Sequence, residues 1–354
     1  MKARKRFLST LLVISLLLSM LPNAALAVGA TTENGTAASE SFSISPHGEF
    51  GLLVGESLSL EVVNLPDGAD LSDVVWSCSP SWSYPNESVI LSGNTAKAVA
   101  PGIAEITADV IINDAVVASD TCTAVAYTLS GICGAEGDGS NLTWEIDPES
   151  QFLTIRGQGA MADYVASYSI SGFENNTAPW YLYCRAERAG QASGPDMTVV
   201  VEDGVTTIGN YAFFTEYDTI QAVEADLPDT ITHLGKYTGL CALDALPANL
   251  ETMDTGALYG TVFPDSAVYI PASVHFIGNS ALYSVTWPDI PNLDAAYFCG
   301  DAPKDFGETV FASSDEFTIY YIVGTSGWTD SAAYDPQSET WHGYPLKTWS
   351  GTAP

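Results

Sequence analysis

Catalysis and metal binding need a few residue types brought close together, so the histidines, cysteines and acids of this 354-residue chain are weighed first. The four histidines, His47, His233, His275 and His342, are scattered over three segments, and neither a His-Glu-x-x-His zinc helix nor a Gly-x-Ser-x-Gly nucleophile elbow occurs. With 43 Asp and Glu a carboxylate pair can be drawn almost anywhere, so spacing alone gives no support to a glycosidase-type dyad. Glu136-Gly137-Asp138-Gly139-Ser140-Asn141 has the oxygen content of a calcium loop but lacks the twelve-residue frame and its closing Glu, and reads as a solvated turn. Gly157-Gln158-Gly159 is followed by Ala162 where a dinucleotide loop has its third glycine, and no helical period comes after it. The six cysteines, Cys78, Cys122, Cys133, Cys184, Cys241 and Cys299, are too widely spaced for a zinc knuckle. No catalytic residue, metal site or cofactor is predicted.

Charge narrows the partners. Lys2, Arg4, Lys5 and Arg6 precede an apolar run from Phe7 to Leu21 that ends in Ala25-Leu26-Ala27, the pattern of a secretory signal over residues 1–27. Without those residues, 43 acids face 7 cations, a net charge of -36 that repels phosphate backbones and anionic lipid surfaces. Nucleic-acid binding is thereby excluded, and no later stretch is apolar for long enough to predict a membrane span. A soluble, secreted or cell-surface protein is expected, and at 46% hydrophobic residues it carries real cores.

Short alternating strands must position whatever the chain binds. After a small, polar leader, residues 28–41, the segment 42–128 alternates apolar and polar residues at Leu58 to Val62, Val74 to Trp76, Val89 to Leu91, Ile103 to Val110 and Thr121 to Val125. Turn residues such as Pro101-Gly102 and Asn113-Asp114 separate them, and a β-sandwich is predicted. Val75-Trp76-Ser77-Cys78 and Ala100-Pro101-Gly102-Ile103-Ala104-Glu105-Ile106-Thr107-Ala108 resemble strands of the bacterial Ig-like domains. Cys78 shares a strand face with Trp76 and Cys122 falls on the expected last strand. A bridge across the sandwich, closing some 44 residues and stabilising by about 3–4 kcal/mol, competes with two separate core thiols.

Residues 129–198 open with a predicted hairpin, Leu142-Trp144-Ile146 returning through Leu153-Ile155 around Asp147-Pro148-Glu149-Ser150. Cys133 and Cys184 bracket this segment as a second candidate bridge, while buried thiols are expected at Cys241 and Cys299. Then the chain repeats itself. Val205, Ile231, Leu250 and Val274 lie 26, 19 and 24 residues apart, with Ile208, Leu234, Met253 and Ile277 three residues later and Gly209, Gly235, Asp254 and Gly278 four later. Pro228, Pro247 and Pro271 stand three before. Inward apolar residues, strand-ending prolines and glycines expected at positive φ make a unit that buries its face only by stacking on copies of itself.

Glu202-Asp203-Gly204-Val205-Thr206-Thr207-Ile208-Gly209-Asn210-Tyr211-Ala212-Phe213 and Ile270-Pro271-Ala272-Ser273-Val274-His275-Phe276-Ile277-Gly278 resemble the units of BspA-type leucine-rich-repeat proteins of bacterial surfaces and secretions. The stretch before the repeats, through Ala178-Pro179-Trp180-Tyr181, is similar to the segment preceding them in that family. The tail, with Phe298-Cys299-Gly300, Gly327-Trp328 and Thr340-Trp341-His342-Gly343, is similar to the segment that closes it. The resemblance implies a mainly β fold: an N-terminal Ig-like β-sandwich, then a pre-repeat cap, a short leucine-rich-repeat solenoid of about four units over 199–300, and a C-terminal cap over 301–354. It also implies a non-catalytic adhesion or ligand-binding role toward an extracellular protein or glycan. A carboxylate-based glycan hydrolase and a purely structural envelope protein are the alternatives.

A binding surface is expected where repeats set outward side chains side by side, about 4.8 Å apart. The outward column is Val200, Asp226, Ala245 and Tyr269, with Trp287 close enough in sequence to join it, so Asp226, Tyr269 and Trp287 are the candidate ligand-binding residues. Covering the solenoid end is the competing task for Tyr269 and Trp287, and capping is expected of Trp180, Trp328, Trp341 and Trp349.

Overall fold

The computed structural model describes residues 41–169, 172–189, 197–214, 223–283, 293–312 and 317–351. The signal segment and nearly all of the leader lie outside them. The fold is mainly β.

The chain first lays down β1 (Ser43–Ser45), β2 (Glu49–Leu53), β3 (Ser57–Ser59), β4 (Glu61–Val63), β5 (Val74–Pro80), β6 (Val89–Ser92), β7 (Thr95–Ala98), β8 (Gly102–Ile112) and β9 (Ala115–Tyr127). Strands β2, β9, β8 and β5 form one sheet in that order, β3, β7 and β6 a second, and β1 pairs with β4. Inward residues of both sheets, among them Phe50, Leu52, Val89, Ala96, Ile106 and Ala124, join in one buried cluster. The β8–β9 turn holds Asn113 and Asp114 at φ of 51° and 60°, the left-handed pair that a tight hairpin between right-twisted strands demands.

Of the two readings left open for Cys78 and Cys122, the structure has the separate thiols and not the bridge. Cys78 pairs with Ile106 on β8, and Ile106 pairs in turn with Cys122 on β9. The two cysteines therefore flank Ile106 within one sheet, two strand spacings or about 10 Å apart, beyond the reach of a disulfide. Both are thiols, as are Cys133 and Cys184, which share one core without bonding to each other. The Cys184 thiol instead faces the Met197 sulfur at 3.3 Å. Cys241, expected buried, is exposed, and Cys299 is half-buried.

Next come β10 (Ser130–Ile132), β11 (Leu142–Asp147), β12 (Phe152–Gly157), β13 (Gly159–Ala160), β14 (Ala166–Ser169), β15 (Gly172–Asn176) and the helix α1 (Tyr181–Arg188). Leu142, Trp144 and Ile146 are buried in alternation, and Asp147 closes the hairpin by accepting from the Glu149 amide and the Ser150 hydroxyl. The helix was not apparent in the sequence. Its Leu182 and Ala186, one turn apart, pack with Ile103 and Val125 of the first unit, while Tyr183 and Cys184 enter the repeat core.

From Met197 the chain winds in coils: β16 (Met197–Val201), β17 (Val205–Ile208), β18 (Val223–Asp226), β19 (His233–Leu234), β20 (Ala242–Leu243), β21 (Thr252–Met253), β22 (Ala267–Ile270), β23 (Phe276–Ile277), β24 (Ala295–Phe298), β25 (Asp305–Phe306) and β26 (Thr318–Ile322). The end is β27 (Tyr334–Asp335), β28 (Thr340–Trp341) and β29 (Tyr344–Trp349). Strands β16, β18 and β20 extend the β10–β12 sheet, while β17, β19, β21, β23 and β25 follow β13 in a second. Strands β22, β24, β26 and β29 run parallel in a third, which β28 and β27 extend antiparallel beyond β29. The inward column Ile208, Leu234, Met253, Ile277 runs in register as the spacing predicts. The parallel ladder continues beyond residue 300, through β26 to β29.

The glycine that recurs in the coils, as Gly209, Gly235 and Gly278 with Asp254 in the remaining one, has a different task from the one expected. Positive φ falls two residues later, at Tyr211 (54°), Tyr237 (45°), Gly256 (63°) and Ser280 (54°). Gly235 and Gly278 are instead needed for close approach, because a Cβ would lie 2.7 Å from the Asn210 amide nitrogen and 2.5 Å from that of Thr255 on the preceding coil. Asn210 and Asn279 then accept amide hydrogens from Lys236 and Glu308, tying each turn to the next.

Candidate binding face

Period-two alternation builds the outer face of the third sheet. On its strands Val268, Ile270, Ala296, Phe298, Ile319 and Leu346 point into the core, which leaves Tyr269, Tyr297, Tyr320 and Lys347 on the other side. These four are successive register partners across β22, β24, β26 and β29. The Tyr269 and Tyr297 rings stack with centroids 4.9 Å apart and planes 15° from parallel, and Tyr297 and Tyr320 at 4.7 Å and 13°. Trp349 leans across the row, its ring 5.1 Å from Tyr297 and 6.0 Å from Tyr269, and donates its indole hydrogen to the Phe298 carbonyl at 3.4 Å.

The row is half-exposed, with the strand spacing itself setting the ring spacing. Partial burial, then the neighbouring Tyr297, Asp265 and Cys299, raise the Tyr269 phenol above its ordinary pKa, so it stays a neutral donor and acceptor at physiological pH. Lys347 is exposed at the far end, beside an open cleft of about 460 Å³ walled by Tyr321, Tyr334, Glu339 and Leu346.

The expected column is only partly assembled. Val200 and Asp226 are register partners and Asp226 is exposed, but the pairing of Ala225 with Leu243 brings Asp244, not Ala245, into line. Tyr269 belongs to a different sheet. The ladder that starts with Ala242 opposite Val262 is broken by a 3-10 turn, Pro264–Ser266, whose Asp265 and Ser266 have φ of 55° and 54°. Trp287 lies outside the described residues. Tyr297, Tyr320 and Trp349 were not among the candidates from sequence, although the spacings of 28 and 23 residues from Tyr269 to Tyr297 to Tyr320 were a legible signal for the row.

A second row, Tyr211, Tyr237, Tyr259 and Tyr283, runs along the turns of four successive coils, with ring centroids 5.8, 6.2 and 5.5 Å apart. On the second sheet, His233 shares a 2.6 Å hydrogen bond with the Thr252 hydroxyl, while Asp254 stands 3.8 Å from its other nitrogen. These are the residue types of a nucleophile, base and orienting acid, but the last contact is too long for the hydrogen bond that fixes such a base. The four carboxylates Asp70, Asp138, Asp147 and Asp335 are held below their ordinary pKa, each by hydrogen bonds from a serine two or three residues on and from nearby amides. In the loop considered for calcium, Asp138 accepts from Ser140 and Asn141 from Glu136, which engages those oxygens internally. Among the described residues no cluster of three or more His, Cys, Asp or Glu is arranged to hold a metal.

No protein-family model and no curated protein matches the chain. Among solved structures the chain is similar to a leucine-rich repeat protein from Eubacterium ventriosum, at 16% identity over 56% of this chain and 68% of that one, with a TM-score of 0.27.

Proposed function

We propose that the chain is a non-catalytic, secreted or cell-surface binding protein, in which an Ig-like sandwich carries a leucine-rich-repeat solenoid that contacts an extracellular protein or glycan. The observation that carries this reading is the half-exposed row of Tyr269, Tyr297 and Tyr320 with Trp349 across it, a concentration of amphipathic aromatic side chains on an open sheet. Tyr and Trp supply large contact areas at low entropic cost and dominate interface energetics. The sequence resemblance and the strongly acidic composition support an exported protein. A glycan hydrolase would require a carboxylate raised toward neutral pH, whereas the displaced carboxylates named above move the other way.

The test is retention of the protein on an array of extracellular matrix proteins, mucins and cell-wall glycans, with Tyr297→Ala and Trp349→Ala alongside. Specific retention that both variants lose supports the reading. Retention unchanged in both moves the site elsewhere, and blank arrays favour a structural role.

A further inference from the structure

Resting on that reading, we infer that the Tyr269–Tyr297–Tyr320–Trp349 face takes a positively charged protein segment, docked with its arginine or lysine side chains toward the Tyr269 end, and not a sugar. Three observations carry this. First, the rings are packed face to face at 4.7 to 4.9 Å, so the inner tyrosine faces are already covered by one another. A pyranose stacks its C–H face on an open aromatic face, and the inner rings offer only edges and phenol oxygens. A guanidinium needs no such opening: its N–H groups donate to a phenol oxygen and its plane packs on the indole.

Second, the row is electrically polar along its length. Asp265 is exposed four residues before Tyr269, at the turn that opens β22, and Lys347 occupies the opposite end of the same register line. A basic side chain finds its counter-charge at the first end, whereas at the second it meets Lys347, with Glu339 across the neighbouring cleft. Third, the whole chain carries -32, so acidic glycans are held off and cationic partners are drawn in.

Biolayer interferometry of the full chain against an oligo-arginine peptide, neutral chitohexaose and heparin tests this. The peptide is expected to bind, about tenfold or more weaker in Tyr297→Ala and in Trp349→Ala. Its affinity should fall between about 50 and about 300 mM salt, and less steeply in Asp265→Asn. Near-ultraviolet circular dichroism establishes that each variant is folded, and Tyr297→Phe, which keeps the ring, should bind within about twofold of the parent. Chitohexaose binding lost in Tyr297→Ala would overturn the partner class while leaving the binding reading intact. Peptide binding indifferent to Tyr297 and Trp349 would reduce it to diffuse charge and overturn the inference. No binding of any probe would also overturn it, and a blank array beside that result would remove the binding reading too.

Discussion

Arg185 forks onto Glu49 across 136 positions of sequence, its Nε 3.0 Å from one carboxylate oxygen and its Nη2 2.7 Å from the other. The pair joins α1 to β2, next to the point where Gly51 leaves only enough room for Ala186, because a Cβ there would lie 2.7 Å from the alanine methyl. Tyr127 and Tyr183 meet edge to face at 5.7 Å beside it. The N-terminal sheets and the repeat core are therefore held by charge, shape and aromatic contact together.

Breaking that pair should loosen the junction. With about a quarter of each side chain exposed, at 25% and 28%, Glu49→Ala is expected to cost about 1–3 kcal/mol, between the values for surface and buried pairs. Urea unfolding followed by far-ultraviolet circular dichroism measures it. A loss under about 0.3 kcal/mol would show that the apolar contacts alone fix the junction.

Gly278→Ala should cost about 1–3 kcal/mol through overpacking against the coil before it. Gly324→Ala makes the comparison, since nothing lies within 4 Å of a Cβ there and its cost is limited to the φ of 94°. If Gly278→Ala unfolds at the same urea concentration as the parent, the coils can shift apart without penalty.

The thiols predict both stability and reactivity. Burial pushes Cys122 up to about 11 and Cys133 up to about 12, and raises Cys184 as well. At pH 8 iodoacetamide should label exposed Cys241 in minutes and spare those three until the protein unfolds, as mass spectrometry of the peptides will show. Dithiothreitol should leave the melting temperature unchanged; a fall of several degrees would reveal a bridge.

Acid should destabilise the protein in two steps. His342 is exposed on one side but packs its ring against Phe306 and Trp341, and this partial desolvation lowers its pKa below the ordinary 6.5. The unfolded chain therefore takes up the proton first, and stability falls as pH drops from about 6.5 toward the lower folded value. Asp70, Asp138, Asp147 and Asp335 add stability above their ordinary 3.8 that is lost as pH falls through their lowered folded values. His342→Asn, a residue that tolerates the φ of 49°, should remove the first slope and leave the second in melting curves from pH 7 to pH 3.

Much of this was legible in residue spacing. A period of two fixes which side of a strand is buried, so Leu142, Trp144 and Ile146 could be placed from sequence, and so could the column from Ile208 to Ile277. Strand order could not, because alternation says nothing about which strands are neighbours. That is why a bridge between Cys78 and Cys122 across two sheets could be entertained when Ile106 separates them within one. Glycine misled for a related reason: the residue marks either a positive φ or a close approach, and only the neighbouring coil decides which. The tyrosine row was half visible. Tyr269 was singled out as an outward aromatic, but the break at Asp265 and Ser266 hid that it belongs to another sheet, where its neighbours are the tyrosines of what reads as the tail.

The parallel pairing of β2 with β9, from Glu49 opposite Thr123 to Leu53 opposite Tyr127, has a mechanical consequence. A pull applied at Ser41 and transmitted through the chain after Tyr127 acts on opposite ends of two strands that run the same way. The hydrogen bonds between them are loaded along the strands and must rupture as a set, where an antiparallel hairpin pulled at its open end would unzip bond by bond. The N-terminal unit is thus built to bear tension between its two ends.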